Sequence, residues 1–437
     1  MFLLNETVEL DEITISQIIQ EFMTSERPKL QKWYNYYIGK QNILLKENTN
    51  DLKPCNRIVS NYCNAITTAY GGYLTGKEIG YTSDEDITTI NEILRYNDVA
   101  DEDAHWLKDA LIFGTGYEIC YIDGDGQQRM KVLDPRECIP VYSSGLDEEL
   151  KAVIRFYTIP NLTVGTDMCY VDVYEDKRTR HYISNNGWSS LEPTGEDINY
   201  YNMVPITVFN LNDDKESIFN QIIGLQDAYN TLISSSVDDF EAFADAYMIV
   251  NGVKLTDEQV EAIRQNRIFN FWGDKDGSVE YLTKDIKTTQ IENLLNRIDE
   301  KIHTIANLPN FTDSAFGTSS GVALRYKLLG FENAASSIEK KFIKAIQRRI
   351  ELFCSILSLT DDDMWRDIKI IFHRNLPENI DDIVSEVNAL RGLVSDRTLI
   401  SQLPFIDDVD KEIELLNEQK AQYATIYNID NEKLLGE

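Results

Sequence analysis

The side chains in this sequence that are able to do chemistry are mainly carboxylates. Acidic residues number 73, and close pairs occur at Asp361 and Asp363 and at Asp407 and Asp408. Paired carboxylates hold the metal ions of many nucleases, so a metal-dependent nuclease is one interpretation of these pairs. A chain this acidic also contains such pairs by chance. The pairs therefore permit a nuclease without favouring one.

The sequence lacks several common motifs of nucleotide, metal and thiol chemistry. It contains no G-x-x-x-x-G-K-[ST] phosphate loop, no H-E-x-x-H and no C-x-x-C pair. A lone histidine on a helix or strand is more often structural than catalytic. The four histidines stand far apart in different predicted elements: His105, His181, His303 and His373. We therefore predict that the chain is not an enzyme and binds no metal and no cofactor.

Length and composition predict an ordered, soluble protein of several structural units. At 437 residues the chain exceeds one compact core, and 43% of its residues are apolar. No apolar run is long enough to span a bilayer, and the first residues lack a signal-peptide pattern. We therefore expect neither export nor a membrane partner. Six cysteines without motif spacing indicate reduced, mostly buried thiols in a cytosol.

The formal net charge of -31 limits how the chain can contact nucleic acid. Simple duplex binding needs lysine and arginine to neutralise phosphates, so any contact with DNA would be mainly non-adhesive. Strong acidity also keeps a protein soluble whatever its function. The charge alone identifies no function.

The elements that position these side chains change character along the chain. Apolar residues at three- and four-residue spacing predict helices through residues 1–115. From Tyr117 to Asn210, short β-branched and aromatic runs separated by turn signals predict an antiparallel β region. GDG at 124–126 and GDKDG at 273–277 are typical of hairpin turns. The predicted fold class is α+β, mainly helical.

A stalk with a knob at its end is predicted in the middle of the chain. Helical spacing runs from Ser217 to Tyr247, resumes at Ile291 and stops at Pro309, which cannot continue a helix. Between these helices, strand-like segments and a short helix predict a small α/β insert. Two helices that enclose an insert hold it away from the main body, where it can contact another molecule.

The longest predicted helix runs from about Ser320 to Leu357, on the order of 55 Å. Apolar residues form one face of it, and Lys340, Lys344 and Arg348 share the opposite face. Within residues 319–358, seven basic residues stand against three acidic ones. The helix therefore departs from the acidity of the chain. A strand, a helix and acidic helical material are predicted after it.

The order of these segments resembles the portal proteins of long-tailed phages that infect Gram-positive bacteria. The stretch PCNRIVSNYCNAITTAYGGYLTGKEIGYTS is similar to the family's "NRIV…GYLxGKP" segment. The stretch FNLNDDKESIFNQIIGLQDAYNTLISSSVDDF is similar to its "LxDAYN…S" segment, which leads into a long helix. The stretch NFTDSAFGTSSGVALRYKLLGFENAASSIEKKF resembles its "SGxAL" loop-helix junction. The similarity covers most of the chain, and the order of the segments makes it specific.

The resemblance implies a dodecameric ring around a channel, with parts called wing, stem, clip and crown. Carried onto this chain, residues 1–215 are the wing, 216–247 and 290–308 the stem helices, and 248–289 the α/β clip. Residues 309–320 are the tunnel loop, 321–390 the long channel helix with a returning wing segment, and 391–437 the crown.

The resemblance also implies a function and partners. The ring is a DNA channel at one capsid vertex of the virion, used for packaging and ejection of the genome. The implied partners are double-stranded DNA in the channel, terminase, a head-tail connector protein, and the major capsid and scaffolding proteins. Assembly is expected in the host cytoplasm. An acidic wall suits such a channel, because it lets DNA pass without gripping it.

Two sets of residues carry the predicted site. In the tunnel loop, Phe311 and Phe316 are expected to pack against neighbouring loops while polar residues repel the duplex. The loop residues are Asn310, Phe311, Thr312, Asp313, Ser314, Phe316, Thr318 and Ser319. The second set, Lys340, Lys344 and Arg348, either faces DNA, makes ion pairs between subunits or forms a solvated helix face. Deleting 311–319 is expected to leave rings intact and stop packaging.

Two other functions remain as alternatives to a portal protein. Another ring-forming virion protein, such as a connector, is the main one. Connectors are much shorter and lack a stem and clip, so the length of this chain favours a portal protein. The nuclease alternative predicts Mg²⁺-dependent cleavage of plasmid DNA by the purified protein.

Overall fold

The computed structural model describes most of the chain as two compact units, residues 1–375 and 376–437. The described residues are 2–5, 8–48, 54–160, 168–185, 187–244, 248–251, 256, 278–281, 288–310, 321–357, 364–375, 380–403, 406, 409 and 411–420. No helix within these ranges is long and apolar enough to cross a membrane.

The first helix, α1 (Glu12–Tyr37), shows how this part of the sequence becomes helical. The carboxylate of Asp11 accepts a hydrogen bond from the amide of Thr14 at 2.8 Å, which caps the first turn. The helix then buries an apolar face that includes Trp33. A 3-10 turn (Asn42–Leu45) and three further helices follow: α2 (Tyr62–Thr75), α3 (Thr88–Tyr96) and α4 (Val99–Phe113). The predicted helices are confirmed except that the helix predicted from Arg57 begins only at Tyr62. Two short strands are added, β1 (Phe2–Leu4) and β2 (Gly80–Thr82).

Two sheets form the predicted β region. Their strands are β3 (Thr115–Ile122), β4 (Gln128–Leu133), β5 (Cys138–Ser143), β6 (Leu150–Ile159), β7 (Met168–Tyr174), β8 (Arg178–Ser184), β9 (Glu192–Ile198) and β10 (Ile206–Asn210), with a 3-10 turn at Pro135–Glu137. The larger sheet has the order β1-β5-β6-β7-β8-β9, and the smaller has the order β10-β3-β4. The pairs are antiparallel, which confirms the prediction, except that β1 runs parallel to β5. Tyr117, Val153 and Ile206 belong to a buried apolar cluster that joins the two sheets.

The GDG turn between β3 and β4 shows how one predicted hairpin is built. The carboxylate of Asp123 accepts hydrogen bonds from the amides of Asp125 at 3.0 Å and Gln127 at 2.9 Å. Gly126 has a φ of +79°, which residues with a side chain rarely adopt. The prediction of a turn at 124–126 is therefore confirmed. The second predicted turn, at 273–277, lies outside the described residues.

Two helices form the predicted stalk. A 3-10 turn (Asn220–Ile222) leads into α5 (Ile223–Ala244), and α6 (Thr288–Ile305) packs along α5. Between them in the chain, β11 (Met248–Asn251) and β12 (Ser278–Tyr281) pair as antiparallel strands. Helix α5 begins later than its predicted start at Ser217. The reason is that the hydroxyl of Ser217 and the amide of Ile218 both donate to the carbonyl of Leu111. The rest of the predicted insert lies outside the described residues.

The longest helix, α7 (Gly321–Ile356), confirms the predicted long helix. A 3-10 turn (Met364–Arg366) and strand β13 (Lys369–Ile371) follow it, and β13 pairs antiparallel with β2. The second unit contains α8 (Ile380–Leu390), α9 (Asp396–Ile400) and helical backbone at 411–420. All six cysteines are free, and five of them are buried, as predicted.

Candidate functional site

Helix α7 is held against the first unit by its apolar face. Phe331 packs on Tyr70 and Tyr73 of α2, with ring centroids 4.6 Å apart in both pairs. Further along, Phe342 stacks on Phe209 of β10 at 4.7 Å. Phe331 and Phe342 are both buried. The apolar face predicted from the sequence therefore fixes which side of α7 points outward.

The outward side of α7 carries two of the three basic residues predicted to form its polar face. Lys340 and Lys344 are exposed and one helical turn apart, and within the described ranges neither has an ion-pair partner. The third residue, Arg348, is half-buried, and its guanidinium lies 2.6 Å from the carboxylate of Glu351. The chain thus neutralises Arg348 itself.

The excess of basic residues on α7 does not make a wide basic surface. Lys341 lies 2.6 Å from Asp213, and Arg349 is fully buried. With Arg348 also paired, the basic face predicted from the sequence is narrower than expected. Among the described residues of this basic face, Lys340 and Lys344 are the ones without an ion-pair partner.

Arg349 joins α7 to α4 and β3 through a buried charge cluster that the sequence analysis missed. Its guanidinium donates to both carboxylate oxygens of Glu118, each at 2.7 Å, and lies 2.6 Å from Asp103. It also lies over the ring of Trp106, 5.1 Å from the centroid. Burial raises the pKa of both carboxyl groups, and the guanidinium opposes that rise. Such a cluster tolerates burial only while its charges stay paired.

A second arginine forms hydrogen bonds with the middle of α7. Arg374, which follows β13, donates to Glu332 at 2.8 Å and also to Glu339. Tyr73 of α2 donates its hydroxyl to the same Glu332. Burial alone would raise the pKa of Glu332, but the bonds from Arg374 and Tyr73 hold it below its usual value. Three separate segments are thus fixed at one carboxylate.

The predicted tunnel loop follows α6, and most of it lies outside the described residues. Those outside are Phe311, Thr312, Asp313, Ser314, Phe316, Thr318 and Ser319, so their roles stay predictions. Asn310 is described and is half-buried. Just before it, the hydroxyl of Tyr70 donates to the carbonyl of Ala306 at 2.8 Å. Because the same Tyr70 packs on Phe331, it contacts both helices that flank the segment.

The base of the stalk is anchored by polar side chains of α5. Gln226, Asn230 and Ser234 repeat every fourth residue and are fully buried. They accept hydrogen bonds, each at 2.9 Å, from three successive alternate amides: those of Tyr62, Ser60 and Ile58. An extended segment therefore lies along α5 with its N–H groups satisfied. The burial of this stripe was not predicted from the sequence, because Gln, Asn and Ser are mostly found at protein surfaces.

The acidic residues show no arrangement for a metal within the described part of the chain. No group of three or more His, Cys, Asp or Glu side chains in that part is placed to hold a metal ion. The pairs Asp361 with Asp363 and Asp407 with Asp408 lie outside the described residues. The metal-dependent alternative therefore gains no support from the described residues.

Comparison with known families decides the membership of the chain. The profile of the family described as "Phage portal protein, SPP1 Gp6-like" matches residues 16–425. The chain belongs to this phage portal protein family. Portal proteins of this family are structural, non-enzymatic virion components that form ring-shaped oligomers in the capsid and connector assembly. The membership confirms the resemblance identified in the sequence and the prediction that the chain is not an enzyme.

Two curated relatives are also portal proteins. That of Bacillus phage SPP1 is 23% identical over 468 residues, covering 96% of this chain and 91% of the relative. That of Clostridium phage phiCD119 is 23% identical over 309 residues, covering 67% of each. A chain in the solved structure "Neck of empty GTA particle computed with C6 symmetry" matches with a TM-score of 0.47 and 10% identity, over 78% of this chain and 89% of that one.

The stretch GTSSG resembles a short motif of hydrolases. Residues 317–321 have the letters of the hydrolase pattern G-x-S-x-G. Residues 317–320 lie outside the described ranges, and the family is non-enzymatic. We assign no nucleophile there.

Proposed function

We propose that copies of this chain form a ring around a channel through which phage DNA is packaged and ejected. The observation that supports this most is the order of elements from α5 to α7. Two packed helices are joined through paired strands, and a long helix follows them. This order supports the stem, clip and channel helix that we propose for the chain, and the family supplies the ring-shaped oligomer.

The division of the chain that we propose follows the parts of a portal subunit. Residues 1–215 form the wing, 216–247 and 290–308 the stem, 248–289 the clip, 309–320 the tunnel loop, 321–390 the channel helix with a returning wing segment, and 391–437 the crown. The positions of α5 and α6 support the stem, and the β11–β12 pair supports the start and end of the clip. The pairing of β13 with β2 supports a returning wing segment.

The proposed ring is a dodecamer with several partners in turn. Its clip docks terminase during packaging and a head-tail connector protein afterwards, while other surfaces contact the major capsid and scaffolding proteins. Assembly takes place in the host cytoplasm, and the finished ring stays at the portal vertex of the virion. The net charge of -31 per chain supports a channel that does not grip DNA.

Negative-stain electron micrographs of the purified protein test this function most directly. We expect rings with a central hole at moderate salt, because family members form ring-shaped oligomers. Single-chain particles at every salt concentration would contradict the proposal. Counting the subunits of well-oriented rings then tests the dodecamer separately. A short connector, the main alternative, is disfavoured because the portal family profile covers residues 16–425.

Lys340 and Lys344 are proposed to face DNA in the channel. Replacing both with glutamine should weaken binding of rings to duplex DNA and flatten its salt dependence, since each neutralised phosphate adds to the salt slope. Stability should change by less than about 0.5 kcal/mol, because both side chains are exposed. Fluorescence anisotropy with labelled duplex at several salt concentrations measures the effect.

The matched control for this pair is Lys341→Gln, on the same helix. Lys341 is already paired with Asp213, so its loss should change DNA binding less than the double substitution. Rings that fall apart in the double variant, with DNA binding by the remainder unchanged, would show that the two lysines make ion pairs between subunits.

A further inference from the structure

Two carboxyl groups contact one cation in the buried cluster of Arg349, Glu118 and Asp103. The Nη2 atom of Arg349 lies 2.7 Å from an oxygen of Glu118 and 2.6 Å from an oxygen of Asp103. The two oxygens are therefore no farther apart than the roughly 4–6 Å at which like charges disfavour each other. All three side chains are at most 2% exposed. Two ionised carboxylates would thus leave a net negative charge in a site that water does not screen.

The groups around the cluster do not balance this second negative charge. Within the described part of the chain, Arg349 is the one cation in contact with the two carboxyl groups. Tyr81 of β2 and Cys120 of β3 stay neutral, because burial raises the pKa of both groups. Glu102, the neighbour of Asp103 on α4, adds a further carboxylate. Arg348 of α7 forms its ion pair elsewhere.

The hydrogen bonds distinguish the two carboxyl groups. Glu118 accepts two bonds from the guanidinium of Arg349, from Nε and Nη2, each at 2.7 Å. Such paired bonds favour the ionised form. Atom Oδ1 of Asp103 has no hydrogen-bond partner among the described residues, although it lies close to Nη2. A buried oxygen that carries charge without a hydrogen bond is costly, so Asp103 is the more favourable place for a proton.

We propose that this cluster binds one proton at neutral pH, held by Asp103, so that its positive and negative charges are equal in number. Arg349 then pairs with ionised Glu118 alone. The buried hydroxyl of Tyr81 lies beside Asp103 and has no other partner among the described residues. Loss of the proton leaves a net negative charge buried where α7 meets α4 and β3, so it weakens the attachment of α7 to the first unit.

The proton makes the stability of the first unit depend on pH. An aspartate in an unfolded chain has a pKa of about 3.9. In the fold the pKa of Asp103 is higher, because burial outweighs the opposing effect of Arg349. Between these two pKa values the folded chain holds one more proton than the unfolded chain. Each unit of rising pH therefore increases the unfolding equilibrium constant about tenfold, until the pH passes the folded pKa.

Infrared spectroscopy of the full-length protein tests the proton directly. A protonated carboxyl group has a carbonyl band at higher frequency than the bands of a carboxylate. The spectrum of the native chain minus that of Asp103→Asn should contain this band at neutral pH. Labelling of aspartate with ¹³C should shift the band, and labelling of glutamate should not. Absence of the band would overturn the proposal, and a band that follows the glutamate label would overturn the assignment to Asp103.

Asp109 provides the matched control, because it lies on the same helix and burial raises its pKa to about 7. It can therefore hold a proton of its own at neutral pH. In Asp109→Asn the labelled band of Asp103 should remain. This measurement does not require that Asp103→Asn folds. Loss of every aspartate band in Asp109→Asn would assign the proton to Asp109 and overturn the proposal.

Urea unfolding at one protein concentration measures the pH dependence. Asp103→Asn should be at least as stable as the native chain at neutral pH, since asparagine has the shape of the protonated acid. The unfolding equilibrium constant of the native chain, divided by that of Asp103→Asn, should rise about tenfold per pH unit from pH 5 to pH 7. Glu118→Gln should lower the unfolding midpoint, because it removes the ionised partner of Arg349. A ratio that does not change with pH, or equal losses from the two variants, would contradict the proposal.

Discussion

Replacing Arg349 with alanine is expected to destabilise the first unit by about 3–5 kcal/mol, as is typical when one partner of a buried ion pair is removed. The substitution leaves Asp103 and Glu118 without their cation in a site where their exposed fractions are 2% and 0%. It also removes the guanidinium from the face of Trp106. Urea denaturation followed by tryptophan fluorescence measures the loss as a lower unfolding midpoint.

The adjacent arginine is the matched control for this prediction. Arg348→Ala removes a guanidinium that is 33% exposed and paired with Glu351, and exposed or half-exposed pairs contribute less than about 1 kcal/mol. The triple variant Arg349→Met, Asp103→Asn and Glu118→Gln removes every charge of the cluster and should recover much of the lost stability. Equal effects of Arg348→Ala and Arg349→Ala would show that the buried cluster does not stabilise the fold.

The two arginines show what the sequence could and could not predict about α7. Arg349 follows Phe342 by seven residues and Ala345 by four, so helical spacing alone places it on the buried face. A charge at such a position requires a buried partner. Asp103 and Glu118 lie on distant elements, and no local pattern in the sequence connects them with Arg349. The buried position of Arg349 could thus be predicted from helical spacing, but its contact with Asp103 and Glu118 could not.

The same distinction holds for the rest of the fold. The stalk helices and the hairpin at 124–126 were predicted, because period and turn residues are local signals. The parallel pairing of β1 with β5 was not, since it joins Leu3 to Tyr142, which lie far apart in the sequence. The anchoring stripe of α5 was missed for another reason: Asn230 and its neighbours are buried through backbone amides and not through apolar contacts.

Some features of the candidate site could be predicted from the sequence, and others depend on contacts that form only in the folded chain. Exposure of Lys340 and Lys344 follows from their place opposite the apolar face of α7. Neutralisation of Arg348 depends on Glu351, three residues further along the same helix, and this spacing was open to recognition in the sequence. Neutralisation of Lys341 by Asp213 was not, because their contact exists only in the folded chain. Charge counted along a helix is therefore a poor measure of the charge it presents.

Deleting residues 311–319, with a short glycine bridge between Asn310 and Ser320, is expected to leave rings intact and abolish packaging. The flanking helices have their own anchors, so their positions do not depend on the deleted segment. Tyr70 holds the end of α6 through the carbonyl of Ala306 and also packs on Phe331 of α7. Arg374 fixes α7 independently through Glu332. The variant therefore removes the proposed contact with DNA while keeping the scaffold.

Protection of packaged DNA from nuclease, in capsids assembled with the variant and supplied with terminase, measures the outcome. Protected DNA should fall to the level seen without terminase, while micrographs still show rings. A full-length loop in which Phe311 and Phe316 become serine is the control for loop length. If these phenylalanines pack the loop against neighbouring loops, this variant should package less DNA than the native chain but more than the deletion. Loss of rings in the deletion variant would instead assign residues 311–319 to assembly, and normal packaging would remove them from the channel.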